Sequence, residues 1–259
     1  MSDRGSRPVL EGRALCKNYG GLRAVVDVSF EVRGAEILGI VGPNGAGKTT
    51  LFDVITGLTP ATSGDVLLDG LSIANAPVHR RCALGVARTF QQPTVADSLT
   101  VLENLYLAAS FRRGRGGGGR DGDVAEALRH LDFVGLTDRA EAQAGPLGVF
   151  DKKRLMLATA LATNPKVLLL DEPFGGLNPQ EIDHVMGLIR ALRDGGLAVV
   201  VIEHVMRALT SLADRVLVMH HGAELFVGTP HQMLADAQVI EVYLGRRHGA
   251  DPTPRELHR

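Results

Sequence analysis

The eight residues from Gly42 to Thr49 read GPNGAGKT. They follow a short apolar stretch, Ile37 to Val41 (ILGIV), and precede a segment in which Leu51, Val54, Ile55 and Leu58 share one helical face. A GxxxxGK[ST] loop set between a strand and a helix leaves few folds open. The strand must end in a glycine-rich turn, and the helix must start with its first N–H groups aimed back into that turn. Glycines let successive backbone N–H groups face inward around phosphates, and the helix adds its positive end. The predicted cradle comprises Gly42, Pro43, Asn44, Gly45, Ala46 and Gly47, continued by Lys48, Thr49 and Thr50. Lys48 is placed to reach β- and γ-phosphates, and the Thr49 hydroxyl to ligate Mg²⁺.

About 120 residues further on, Val167 to Glu172 read VLLLDE. Four apolar residues suit a buried strand, and two carboxylates stand at its C-terminal end, where open α/β sheets bind ligands. Asp171 is expected in the Mg²⁺ shell. Glu172 is then placed to orient and polarise the attacking water.

Around these elements, strand-like runs alternate with helical patterns in both flanks, while helical patterns cluster at 99–109, 124–134 and 152–162. Further β-type stretches lie at 24–32 and 65–68, a helix from Pro179 to Leu192, a strand at Leu197 to Ile202 and a hairpin near 215–228. The expected fold is therefore an α/β core carrying a helical insert. The Arg/Gly-rich run at 112–120 (RRGRGGGGR) reads as a solvated loop within the insert, and the tail from Arg246 as disordered. The longest apolar runs span four to six residues, against the ~20 a membrane helix needs. The N-terminus lacks the apolar core of a secretory signal. With a net charge of −1 there is no electrostatic footprint for nucleic acid. Cys16 and Cys82 fit no metal or redox spacing, so reduced thiols in the cytosol are expected.

Four more stretches narrow the field. Tyr19 in KNYGGLRAV, Gln91 in ARTFQQ, GGLNP at 175–179 and His204 after Glu203 occur in the order found in ABC ATPases. The resemblance covers roughly residues 10–245. It implies an adenine stacked on Tyr19, a Q-loop glutamine at Gln91 that senses Mg²⁺ and water, a D-loop at GGLNP, and a switch histidine, His204, on the γ-phosphate. ARTFQ, LTVLENL, DEPFGGLNP, IEH and GTP…VIEVYLG resemble the ATP-binding subunits of branched-chain amino acid-type importers. Lipopolysaccharide-export ATPases share parts of the pattern, and an ATP-binding regulatory subunit is the other alternative.

The resemblance implies one P-loop ABC ATPase domain at 8–245, between flexible tails 1–7 and 246–259. It has an N-terminal antiparallel β subdomain and a helical subdomain at about 90–162. ATP and Mg²⁺ are the implied cofactors. The implied partners are transmembrane permease subunits, a second ATP-binding subunit and, indirectly, a periplasmic solute-binding protein. Such a chain works on the cytoplasmic side, peripheral on the inner face of the cell membrane.

One stretch departs from the family. Where ABC ATPases carry a signature near LSGGQ, Leu147 to Asp151 read LGVFD. The hydroxyl is gone, and Val149 and Phe150 stand where backbone must approach phosphate closely. Asp151 is expected to cap the following helix and to repel a phosphate at close range. The implied dimer is asymmetric, with one competent and one degenerate composite site.

Overall fold

The computed structural model describes residues 7–110 and 120–244. The tail from Arg246 and the Arg/Gly-rich run lie outside the described residues, except Arg120, where a helix begins. In chain order the elements are β1 (Pro8–Tyr19), β2 (Leu22–Arg33), β3 (Ile37–Val41), α1 (Lys48–Thr56), β4 (Ser63–Leu68) and β5 (Leu71–Ser72). Next come α2 (Val78–Leu84), β6 (Val86–Arg88), α3 (Val101–Ser110), α4 (Arg120–Val134) and α5 (Val149–Ala162). The remainder is β7 (Val167–Asp171), α6 (Pro179–Asp194), β8 (Ala198–Ile202), α7 (Met206–Leu212), β9 (Arg215–His220), β10 (Ala223–Gly228), α8 (Pro230–Ala235) and α9 (Ala237–Leu244).

A six-stranded sheet in the order β10-β9-β3-β8-β7-β6 forms the centre. Its five strands from β9 to β6 run parallel, and only β10 is antiparallel. Every residue of β3, β7 and β8 is buried, as an apolar run in a sheet covered on both faces requires. The two-residue side-chain period divides the strands between two cores. Val167 and Leu169 with Ala198, Val200 and Ile202 face Phe52 and Ile55 of α1 and the side chains of β1 and β2. Leu168 and Leu170 with Val199 and Val201 face α3 to α7 on the other side. The second sheet, β2-β1-β4-β5, is antiparallel and covers α1 from outside. Helix α1 thus sits between two sheets, which fixes the phosphate loop at its N-terminus.

Two glycines of the loop are required by geometry. Gly42 has φ 151°, and a Cβ there would lie 2.2 Å from the Met219 carbonyl oxygen. Gly47, at φ 96°, precedes α1, and its Cβ would lie 2.2 Å from the Ala24 carbonyl oxygen. Helix α6 opens on a capping box: the Asn178 side chain accepts from the Glu181 N–H, Glu181 reaches back to the Asn178 N–H, and Pro179 occupies the first turn.

Helix α5 starts three residues before the periodic pattern that signals it, so most of LGVFD is its first turn. The cap position is Gly148, without a side-chain cap, and Asp151 lies inside the helix. The expected Asp151 cap is therefore replaced by a different role. Its carboxylate pairs with Arg154 at 2.5 Å and with Arg139 at 3.0 Å. Two guanidinium groups neutralise the charge expected to repel a phosphate.

Candidate active site

Because β3, β8 and β7 are neighbours and parallel, their C-terminal ends bring three segments together. These are the phosphate loop after β3, Asp171 and Glu172 at the end of β7, and Glu203 and His204 after β8. A cleft of about 490 Å³ is lined by Tyr19, Asn44 to Thr50, Glu172 and His204. Arg23 and His221, which carried no sequence signal, also line it. Tyr19 is half exposed, with the Lys17 ammonium 4.8 Å from its ring centroid. Gly42 and Pro43 lie at the back of the loop, where their carbonyls accept from Lys48 Nζ at 2.7 and 3.0 Å. Burial pulls the Lys48 pKa down, against the nearby charges of Glu172 and Asp171.

Glu172 is the most constrained side chain of the site. Its Oε2 accepts from Gln91 Nε2 at 2.7 Å, and its Oε1 lies 2.6 Å from His204 Nε2. Its backbone is held too: the N–H donates to the Ile202 carbonyl, and the carbonyl accepts from Lys153 Nζ at 2.9 Å. This grip sustains φ 48°, a left-handed value that costs a non-glycine residue about 1–3 kcal/mol. Gln91, Glu172 and His204, separated in sequence by 81 and 32 residues, form one hydrogen-bonded unit.

Sequence reasoning missed three supporting residues. Glu203 is 2% exposed, and its carboxylate accepts from the N–H groups of Phe174, His204 and Val205. Lys153, whose pKa burial lowers against Glu203, Glu172 and Asp171, tethers the Glu172 carbonyl. Arg88 bonds to Asp171 Oδ2. Glu203 was readable only as the neighbour of a histidine, and the two cations carried no local pattern. Tyr243 of α9 lies beside the Gly42 backbone, and burial pushes its hydroxyl up to about 12.

The residues expected to hold Mg²⁺ fit it by the chemistry of their donors. The Thr49 hydroxyl, the Gln91 amide oxygen and the Asp171 carboxylate are hard oxygen donors. Among the described residues there is no cluster of three or more His, Cys, Asp or Glu able to cage a metal by itself. A single carboxylate beside a phosphate loop suits an ion that keeps its waters and takes its other oxygens from phosphates.

A parallel sheet bearing a phosphate loop, an acidic pair and a histidine at its C-terminal ends defines a P-loop nucleoside triphosphatase. Residues 25–175 match the model of the ABC transporter family. The chain belongs to that family and is an ATP-binding cassette ATPase. It is 38% identical to the high-affinity branched-chain amino acid transport ATP-binding protein BraF of Pseudomonas aeruginosa, over 93% of this chain and 99% of that one. Identity to the corresponding LivG protein of Escherichia coli K12 is 36%, over 93% and 99%. The lipopolysaccharide export ATP-binding protein LptB of the same strain is 34% identical, over 91% and 97%. The crystal structure of an ABC transporter cassette in its ADP conformation superposes with a TM-score of 0.83 at 29% identity, over 93% of this chain and 100% of that one. A dimeric post-hydrolysis cassette bound to ADP and Pi gives 0.77 at 25%, over 85% and 98%. Among the described residues, no helix is long and apolar enough to cross a membrane.

Proposed function

We propose that this chain energises an importer of branched-chain amino acids or related small polar solutes. It lies on the cytoplasmic face of the cell membrane, against transmembrane permease subunits and beside a second ATP-binding subunit. A periplasmic solute-binding protein delivers the solute. The functional domain is residues 8–245, with the helical part at about 90–162. The observation that carries the reading is the Glu172 carboxylate, held by Gln91 on one oxygen and His204 on the other, in the mouth of the phosphate loop. The solute class rests on the likeness to BraF and LivG.

In this reading ATP stacks its adenine on Tyr19 and lays its phosphates along Gly42 to Thr50. Lys48 exchanges the Gly42 and Pro43 carbonyls for β- and γ-phosphate oxygens. Glu172 orients and polarises the attacking water, and His204 holds both Glu172 and the γ-phosphate. Thr49, Asp171 and Gln91 would hold Mg²⁺, which would supply positive charge to the phosphate oxygens. The protein's contribution is positioning and fixed charge around an in-line displacement.

The permease contact is assigned to an apolar groove of about 380 Å³ between the core and the helical part, with Val78, Cys82, Phe90, Leu107 and Met156 in its walls. Phe90 precedes Gln91, so a cytoplasmic helix seated there pushes on the residue that grips Glu172. The second subunit supplies the signature facing this chain's phosphate loop. The opposite composite site, built on LGVFD, binds ATP and turns it over slowly.

The test is reconstitution in vesicles with permease and second ATP-binding subunits, measuring ATP turnover and uptake of labelled leucine. Glu172→Gln is expected to lower turnover by about 10²–10⁴-fold with ATP still bound. Unchanged turnover in that variant overturns the catalytic reading. Brisk turnover without amino acid uptake, under conditions where lipopolysaccharide is extracted, assigns the chain to the export class instead.

A further inference from the structure

Arg88 ends β6 and is 5% exposed at its side chain. Its guanidinium bridges two elements of the nucleotide site. One terminal nitrogen donates to Asp53 Oδ1 on α1 at 2.6 Å, the other to Asp171 Oδ2 at the end of β7 at 2.7 Å. Its Cζ also lies over two rings, 5.3 Å from the Phe52 centroid and 5.0 Å from the Phe90 centroid. Nε is buried without a hydrogen-bond partner, a cost tolerated only where the rest of the group is firmly engaged. The same residue lines the apolar groove.

Asp171 itself is 7% exposed at the side chain. A carboxylate so buried has one stable orientation if a fork donor holds one oxygen, and several if none does. With Oδ2 engaged by Arg88, no described side chain hydrogen-bonds Oδ1. Arg88 also ties that orientation to α1 through Asp53, so one side chain cross-links the phosphate-loop helix and the acidic strand. The charge sum favours holding over competition. One cation between two carboxylates leaves the cluster net negative, whereas without it the buried Asp171 would lose its direct ion pair and keep only the more distant charges of Lys48 and Lys153.

We propose that Arg88 is a positioning residue for the metal: it fixes Asp171 with Oδ1 presented, and links that carboxylate to the phosphate-loop helix and to the groove wall. This rests on the metal role of Asp171 proposed above. Lysine is a poor substitute, because a point charge cannot span both carboxylates with a planar fork.

The experiment measures dissociation constants of a non-hydrolysable ATP analogue with EDTA and with saturating Mg²⁺, on wild type, Arg88→Met, Arg88→Lys and Asp53→Asn. Steady-state kcat and KM are measured alongside. Arg88→Met keeps volume and removes the fork. It is expected to leave metal-free affinity unchanged and to lower the metal-dependent gain by about 10–100-fold, as loss of an outer-shell partner does. Arg88→Lys should recover part of that gain. Asp53→Asn, which keeps the arginine, should lose less than Arg88→Met. An unchanged gain in Arg88→Met, an increased gain, or an equal loss with and without metal would each overturn the proposal. If Arg88→Met does not fold, Arg88→Lys and Asp53→Asn decide, and a wild-type gain in both overturns it. Absence of any metal-dependent gain in wild type would overturn the metal role of Asp171 itself, which separates the two failures.

Discussion

Glu203 shows how much of an active site is carried by residues that touch no substrate. Its carboxylate accepts three backbone N–H groups, from Phe174, His204 and Val205, and so sets the loop after β7 against the turn after β8. Glu203→Ala leaves one buried and two part-buried donors without their partner and should cost about 1–3 kcal/mol, read as a lower urea midpoint. Turnover should fall further than ATP affinity, because His204 loses its mooring while the phosphate loop keeps its own. Equal losses in both would show that Glu203 only holds the fold. The phosphate loop was legible at this scale because its chemistry is local: glycine, lysine and threonine act through their own backbone or neighbouring atoms. Arg88 was not, since its partner Asp171 is 83 residues away and only the sheet order makes them neighbours.

At the scale of elements, boundaries follow chemistry that periodicity does not register. The periodic pattern starts α5 near Lys152, yet the helix begins at Val149, because Asp151 finds Arg154 one turn on and Arg139 in the preceding loop. Phe150 packs edge-on to His184, with the Arg154 guanidinium 4.4 Å from its centroid. The substituted side chains are thus integrated into the helix start. A Cβ at Gly148 would meet nothing within 4 Å, so Gly148→Ser should be tolerated. Asp151→Gln breaks two ion pairs at a site 13% exposed and should cost about 1–2 kcal/mol, measured by chemical denaturation. Restoring the whole LSGGQ sequence should change turnover of the assembled complex little. A large gain would mean the degenerate site limits the machine and would discard the asymmetric reading. Strand β6 has three residues and ends in an arginine, which gives sequence reasoning no alternation to detect.

Across the whole molecule, β6 and the segment after it line the groove, while Arg88 and Gln91 reach from there to Asp171 and Glu172. Cys82 sits in the groove wall, half-buried, and burial raises its thiol pKa against a hydrogen bond with Thr163. It should alkylate slowly in the isolated chain, since little thiolate is present at neutral pH. In the assembled complex it should become slower still, while Cys16 on the antiparallel sheet keeps its rate. Mass spectrometry after timed alkylation reads both thiols at once. Equal protection of the two, or none at Cys82, would move the permease contact elsewhere. The α/β core with its helical insert was legible because strand-like apolar runs and helical stripes alternate in the flanks while helical patterns cluster in the middle. The partition of each strand between two cores needed the coordinates, as both faces are apolar.

The tyrosine on α9 has an optical consequence. The chain has no tryptophan and three tyrosines, so its ultraviolet emission comes from Tyr19, Tyr106 and Tyr243 alone. One of these stands in the nucleotide cleft and another lies beside the backbone of the first residue of the phosphate loop. The unlabelled protein therefore carries one fluorophore in its nucleotide cleft and another beside the phosphate loop, and a change in tyrosine emission on mixing with ATP is the expected stopped-flow signal, with no dye or foreign residue needed.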